Sequence, residues 1–304
     1  MRFRLRRETP ATGLDLARAH ALVVKPRRGT IRWEAFDRGR YDAASLAAAA
    51  GAWRDRARQE FHSLALFTQL ASQVHLIGAP LDWAGAFVRM TADEVRHTEL
   101  CARMASILAG EGAESPPARL PEIDADALHL PVRTTSLRAH VRETVVAAFC
   151  IGETLSGRMF RRCLRAATDP VARDVVRTIV DDETFHGRLG WELAALLMRE
   201  DEDDARAREE RDGLARALPE LFTHYRHICC ADGGEAWARA ECEEADADGD
   251  VSMGASPEPP PNFGTLTLAG YALAFYDGMR EDVVPGLVAI GFPEAEDAWA
   301  MASP

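Results

Sequence analysis

Lysine is almost absent from this chain of 304 residues, in which Lys25 is the only one. The formal net charge is −12, so duplex nucleic acid and anionic membranes are not expected partners. A carboxylate buried inside this protein also cannot rely on lysine for its neutralisation. Any buried acidic group that the helix patterns reveal therefore needs another source of positive charge.

Long apolar runs and a disulfide framework are also lacking. No stretch approaches the length that spans a bilayer, and no continuous apolar segment follows the basic start MRFRLRRETP. The six cysteines have no repeating spacing, unlike those of a small secreted domain. We therefore expect a protein of the reducing cytoplasm that does not insert into membranes.

Helical periodicity is the strongest pattern in the chain. Apolar residues recur at three- and four-residue steps from Asp42 onward. A Gly-Ala-Pro stop closes the first periodic segment, and Asp169-Pro170 forms an N-cap with proline at the first helical position. A proline-rich stretch over 111–134 predicts a long crossover loop. The four predicted helices cover 42–77, 81–108, 136–167 and 169–200.

Four long helices, paired by short turns and joined by one long crossover, are typical of a ferritin-like four-helix bundle. We therefore predict an all-α protein in three parts. They are an irregular N-terminal arm (1–41) with a short strand at 29–33, the bundle (42–200) and a helical C-terminal extension (201–304). Within the extension we expect a helix at 216–242, a flexible acidic and proline-rich linker at 243–262, and one or two helices over 266–292.

Two matching motifs carry the chemistry. Asp93-Glu94-Val95-Arg96-His97 lies in the second predicted helix, and Asp182-Glu183-Thr184-Phe185-His186 lies in the fourth. Each is a Glu-x-x-His, which places both side chains on one face of a helix. The helix before each motif contributes a carboxylate, Glu60 or Glu153, on a face that is otherwise apolar. The sequence thus repeats the order Glu, Glu-x-x-His.

A two-metal site explains this pattern. Burying even one unpaired carboxylate is very costly, and two histidines supply too little positive charge for four carboxylates. Two divalent cations would neutralise them, and oxygen and imidazole ligands suit iron or manganese. We therefore predict an Fe/Fe, Mn/Fe or Mn/Mn site. Its metal ligands are predicted to be Glu60, Glu94, His97, Glu153, Glu183 and His186.

Three neighbours of these ligands have predicted supporting roles. A ligating histidine needs an acceptor for its other ring nitrogen. Asp93 and Asp182 are each expected to reach the histidine of the opposite motif. Cys101 lies one helical turn after His97, where it is either close to the metals or a small apolar core residue.

At these motifs the chain resembles the ferritin-like di-metal carboxylate superfamily over residues 45–200. It is similar to bacterial ferritin-like domain proteins in three stretches: Gly78-Ala79-Pro80, Asp93 to His97 and Gly152-Glu153-Thr154. The ligand separations resemble those of di-iron arylamine N-oxygenases, although Ile179 replaces an additional histidine ligand of those enzymes. The Asp-Glu-x-Arg-His run and Cys101 resemble multicomponent monooxygenases.

The resemblance implies an O₂-dependent di-iron oxidase or oxygenase that acts on a small organic molecule, with a possible electron-donor protein and a possible homodimer. Glycines near the ligands (Gly152, Gly157, Gly187 and Gly190) either leave space for dioxygen or substrate or allow close helix packing. Two alternatives stay open: a ferritin-like protein that oxidises iron or removes peroxide, and a non-catalytic protein with a structural metal clamp.

Overall fold

The computed structural model describes residues 23, 25, 29–111, 130–200, 205–248 and 261–303. In these residues the regular structure is helical and contains no strand, which confirms the all-α prediction. None of the described helices is long and apolar enough to cross a membrane. The assembly of helices into one ferritin-like bundle stays a prediction.

The helices are numbered here in chain order. The α-helices are α1 (Ala43–Leu76), α2 (Leu81–Ala109), α3 (Leu137–Thr144), α4 (Thr154–Ala166), α5 (Pro170–Glu200), α6 (Ala205–Ile228), α7 (Glu235–Asp248), α8 (Leu268–Gly278), α9 (Val284–Ala289) and α10 (Ala295–Ala302). Two π-helical segments, π1 (Val145–Glu153) and π2 (Met279–Val283), continue directly into the α-helices on either side. Two short 3₁₀ helices cover Trp33–Ala35 and Arg38–Arg40.

Local capping explains where the long helices begin and end. The Asp42 side chain accepts a hydrogen bond from the Ser45 amide, and Asp169 accepts one from the Ala172 amide. Ser136 caps α3 in the same way through the Ala139 amide. Gly110 ends α2 with a φ of 81°, a left-handed conformation that glycine adopts without strain. These four boundaries agree with the predicted helix limits to within one or two residues.

The predicted strand at 29–33 is wrong. Residues 30–32 have no regular structure, and a 3₁₀ turn begins at Trp33. No strand lies among the described residues to pair with this segment, so its backbone could not form a sheet ladder.

The predicted single helix over 216–242 is also corrected. It is divided between α6, which starts earlier at Ala205, and α7. The break falls where Cys230 and Gly234 adopt positive φ values of 56° and 84°. Helix α7 extends to Asp248, into the segment predicted as a linker, because alanine and glutamate favour helix. The rest of that linker (249–260) and most of the predicted crossover (112–129) lie outside the described residues.

The chain divides into two compact units, and the continuous helix α5 contributes residues to both. In the first unit α1 packs along α2, with the part of α5 up to Asp182 and residues 261–265. Trp53 is its largest fully buried side chain, and its indole N–H donates to the Phe263 carbonyl at 2.8 Å. Its apolar core includes Phe67, Leu70, Phe87, Met90, Val176 and Ile179.

The second unit contains α3, π1, α4, the part of α5 from Glu183, and the C-terminal helices. Helix α4 packs against α8, and α6 packs against α10. Arg158 pairs with Glu281 and Asp282, which ties α4 to the π2 segment. The apolar core of this unit includes Phe149, Leu193, Phe222, Phe275 and Leu287.

Candidate metal centre

The first unit contains three of the predicted ligands, here called the first triad: Glu60, Glu94 and His97. Glu60 lies on α1, and the other two lie on α2. Nδ1 of His97 is 3.4 Å from Glu60 Oε2 and 3.6 Å from Glu94 Oε1. The long helices α1 and α2, joined by a short turn, therefore bring the first carboxylate to the first Glu-x-x-His motif.

The second unit contains the equivalent set, here called the second triad: Glu153, Glu183 and His186. Glu153 is the last residue of π1, and the other two lie on α5. Nδ1 of His186 is 3.4 Å from Glu153 Oε2 and 3.7 Å from Glu183 Oε1. The two triads thus have the same composition and nearly the same internal distances.

These distances match donor atoms around one ion better than direct hydrogen bonds. An N–H···O bond has its atoms about 2.9 Å apart. Two donors that each bond a metal at about 2.1 Å lie roughly 3.0–3.6 Å apart at common coordination angles. Three of the Nδ1-to-carboxylate separations, at 3.4–3.6 Å, fall at the upper end of that range, and the fourth, at 3.7 Å, lies just above it. All six residues are buried, none more than 8% exposed.

Candidate ligand atoms form two overlapping groups of four. One group contains Glu60, Glu94, His97 and Glu183, and the other contains Glu94, Glu153, Glu183 and His186. Within each group the ligand atoms all lie within 4.8 Å of one another. This buried cluster of carboxylates and imidazoles could therefore hold a metal ion. Both groups include Glu94 and Glu183.

An arginine that sequence reasoning missed lies beside the first triad. Nη1 of Arg96 donates to Asp93 Oδ1 at 2.8 Å and to Asp182 Oδ2 at 2.7 Å. Asp182 Oδ2 also lies 3.4 Å from Nε2 of His97, the ring nitrogen that faces away from Glu60 and Glu94. Burial raises the pKa of the Asp182 carboxyl, but His97 and Arg96 outweigh that effect and lower it. The sequence could have indicated this role, because Arg96 lies within the motif between Glu94 and His97.

The positive charge of Arg96 offsets the charges of two buried aspartates beside the first triad. Arg96 is 4% exposed and donates hydrogen bonds to both aspartates, so its charge stabilises Asp93 and Asp182. The contact of Asp182 with His97 is the one expected for an outer ring nitrogen. A role of Asp93 towards His186 stays a prediction.

Cys101 is fully buried close to the first triad. Burial raises the pKa of its thiol well above the usual range, and the charge of Glu60 raises it further. Without a bound metal the thiol is therefore protonated, as in a small packing residue.

Two of the four glycines near the second triad are explained by close helix packing, and the other two leave open space. A Cβ on Gly190 would lie 2.3 Å from Phe149 Cβ, and one on Gly152 would lie 2.9 Å from the Tyr225 hydroxyl. Close packing therefore explains these two positions. A Cβ on Gly157 would meet only the tip of the Arg161 side chain, at 3.4 Å. A Cβ on Gly187 would meet no atom within 4 Å.

The π-helical form of residues 145–153 was not predicted. The run Val145-Val146-Ala147-Ala148-Phe149 has the composition of an ordinary buried helix, so no residue signals the change of hydrogen bonding. Short π-helical segments are rare and often occur at functional sites. Here the segment ends at Glu153, a member of the second triad.

Comparisons with protein-family models, with curated proteins and with solved structures find no match to this chain. The case for a function therefore depends on the fold class and on the cluster. These define an all-helical protein with a buried group of carboxylates and histidines that could hold metal.

Proposed function

We propose that this protein is a ferritin-like, non-haem di-iron enzyme that uses dioxygen to oxidise a small organic molecule. The observation that carries the proposal is the pair of overlapping ligand groups. In this assignment the first triad would hold one ion and the second triad would hold the other, and Glu94 and Glu183 belong to both ligand groups. The choice of iron over manganese follows the resemblance of the motifs.

The charges of the ligands support two ions. Four carboxylates are buried with two imidazoles and without lysine, because the chain has only Lys25. Two divalent ions would bring four positive charges to these four negative ones, whereas one ion would leave an excess of buried negative charge. Carboxylate oxygens with one imidazole for each ion form a donor set that iron and manganese accept.

The side chains of the site bind, orient and exclude water. The Asp182 carboxylate lies 3.4 Å from the outer nitrogen of His97, a position that favours the ring orientation in which Nδ1 faces Glu60 and Glu94. Phe67, Phe87 and Ile179 are fully buried in the first unit, and such apolar side chains would exclude water. When bound, a pair of ferrous ions would supply the electrons for dioxygen reduction, which these side chains cannot provide.

Metal stoichiometry and dioxygen use test the proposal. Anaerobic titration of the apoprotein with Fe(II) should show two tightly bound ions for each chain. On exposure to dioxygen, about one O₂ should be consumed for each loaded chain, and further turnover should need a substrate and an electron donor. Glu94→Ala should abolish tight binding of both ions. Glu99→Ala removes another buried carboxylate of α2, one whose charge acts on Arg103, and should retain both.

Two outcomes would contradict the proposal. Continued oxidation of added Fe(II) beyond two ions for each chain would indicate the alternative, an iron-oxidising ferritin relative. Loaded protein that consumes no dioxygen would indicate a structural metal clamp.

A further inference from the structure

The C-terminal extension contacts the segment that carries Glu153. Tyr225, near the end of α6, donates its hydroxyl hydrogen to the Ala147 carbonyl of π1 at 2.7 Å. The same hydroxyl would lie 2.9 Å from a Cβ on Gly152, so only glycine leaves room for this approach. Burial raises the pKa of Tyr225, with a smaller contribution from the charge of Glu153, so the phenol stays a hydrogen-bond donor.

The two contact positions are characteristic of the π register. Ala147 and Gly152 are five residues apart, which is the spacing that i→i+5 hydrogen bonding brings onto one face. In an α-helix with 3.6 residues in each turn, positions five apart point about 140° away from each other. The contact of Tyr225 with both residues therefore fits the π-helical form of this segment.

The register of π1 decides where Glu153 points. Each residue in an α-helix turns the chain by about 100°, so removing the extra residue of a π turn would rotate Glu153 by roughly that angle relative to α3. Such a rotation would take its carboxylate away from Nδ1 of His186, which now lies 3.4 Å from it.

A second side-chain contact supports the same register. Thr154 donates its hydroxyl to the Phe149 carbonyl five residues earlier, at 3.4 Å. Trp191 of α5 donates its indole N–H to the Thr154 hydroxyl at 3.1 Å. The π segment is thus held from α5 and from the extension.

From these contacts we propose that Tyr225 is a positioning residue, which locks the π register of residues 145–153 and so directs Glu153 towards its metal. This inference rests on the proposed function, because it assigns Glu153 as a metal ligand. It also gives the C-terminal extension a role in building the site.

The test uses Tyr225→Phe in the full-length protein, which removes the hydroxyl and keeps the ring. The matched control is Tyr276→Phe. Tyr276 is a buried tyrosine of the second unit, whereas Tyr225 is half-buried, and the Tyr276 hydroxyl donates to the Ala231 carbonyl at 2.9 Å. Gly152→Ala is a second test variant, because its methyl group would displace the Tyr225 hydroxyl.

One measurement reports the π register of residues 145–153, and a second reports metal binding by Glu153. Hydrogen–deuterium exchange of metal-free protein should become faster in residues 145–153 for Tyr225→Phe and Gly152→Ala, and should not change there for Tyr276→Phe. Titration with Co(II) should show an affinity about tenfold weaker for one of the two ions in both test variants, with altered visible ligand-field bands. Tyr276→Phe should retain the wild-type affinity and spectrum.

The outcomes separate this inference from the proposed function. Wild-type protein that binds two Co(II) ions, together with a Tyr225→Phe variant of unchanged affinity, spectrum and exchange, would overturn the role of Tyr225 alone. Wild-type protein that binds no Co(II) or Fe(II) would overturn both proposals.

Discussion

The Asp182 carboxylate lies 3.4 Å from Nε2 of His97, on the side of the ring opposite to the carboxylates of Glu60 and Glu94. Arg96 holds the same oxygen of Asp182 at 2.7 Å. One buried carboxylate is therefore held by arginine and lies beside the outer nitrogen of a histidine. This arrangement favours the ring orientation in which Nδ1 faces Glu60 and Glu94.

Replacing Asp182 by Asn is expected to weaken metal binding about tenfold without unfolding the protein. The amide lacks the negative charge that stabilises the imidazole ring orientation. The measurement is Fe(II) or Co(II) affinity by anaerobic titration, with thermal unfolding as the check on folding. Asp181→Asn, an exposed neighbour on α5, is the matched control and should bind as the wild type does. Equal affinities of the two variants would contradict the role of Asp182.

The segment after the linker contributes to stability through a close approach at Gly264. This residue has a φ of 73°, and a Cβ there would lie 2.7 Å from Val176 Cγ2. Gly264→Ala should therefore lower the free energy of unfolding by about 1–2 kcal/mol for the backbone and by a further 1–3 kcal/mol for overpacking.

Gly78→Ala separates the two effects of Gly264→Ala. Gly78 has a similar φ of 80° but no neighbour within 4 Å of the added Cβ. Denaturant unfolding should show only the backbone loss for this variant. Equal losses at Gly78 and Gly264 would mean that the contact with Val176 relaxes freely.

A tyrosine–aspartate hydrogen bond should make stability depend on alkaline pH. Tyr41 donates to Asp169 Oδ2 at 2.7 Å, and Asp169 also caps α5. Burial, with the hydrogen bond and charge of Asp169, raises the pKa of Tyr41 to about 12 from its usual value near 10. The protonated phenol is thus the form that the folded state favours.

The contribution of Tyr41 should be complete below pH 10 and should disappear as the pH rises from 10 towards 12. Tyr41→Phe should lose about 1 kcal/mol at neutral pH, because one hydrogen bond is removed. Denaturant unfolding of both proteins between pH 8 and pH 12 tests this. A difference between the two that does not shrink above pH 10 would contradict the prediction.

Cysteine reactivity should follow burial. Cys230 is exposed and Cys242 is half-buried, whereas Cys101, Cys150, Cys163 and Cys229 are buried. Burial raises the pKa of Cys229 to about 12 and that of Cys150 still further, so these thiols stay protonated. A thiol reagent should modify Cys230 first, then Cys242, and the other four only on unfolding.

Mass spectrometry of the modified native protein measures that order. The Cys230→Ser variant should lose the fastest phase and retain the slower one. Rapid modification of a third thiol in the native wild type would show that one of the buried cysteines is accessible.

Local sequence signals predicted the long helices well. Asp42, Gly110, Ser136 and Asp169 act at helix ends through their own side chain or backbone, so no distant contact was needed to place them. The strand at 29–33 failed, because a strand depends on a partner that the sequence does not name. The helix break after Ile228 was missed although Asp232-Gly233-Gly234 is a turn signal, and the positive φ of Cys230 has only a weak signal of its own.

In the candidate site too, local spacing was predicted from the sequence, whereas contacts between helices were not. The spacing within Glu94 to His97 and within Glu183 to His186 follows from helix geometry alone. The order of the motifs predicted that Glu60 and Glu153 join them, and the structure places each within 3.4 Å of a histidine nitrogen. Arg96 stood inside the motif, but its bonds to Asp93 and Asp182 depend on packing across helices.

By itself the sequence determined the helical class, the helix ends and the residue types that make a metal site plausible, because periodicity, capping and Glu-x-x-His spacing act within a few residues. Only the tertiary structure decided the π register before Glu153, the contact of Tyr225 with Ala147, and the arginine between the two aspartates. Those features join residues far apart in the chain, and their free energy comes from burial and hydrogen bonds that exist only after folding.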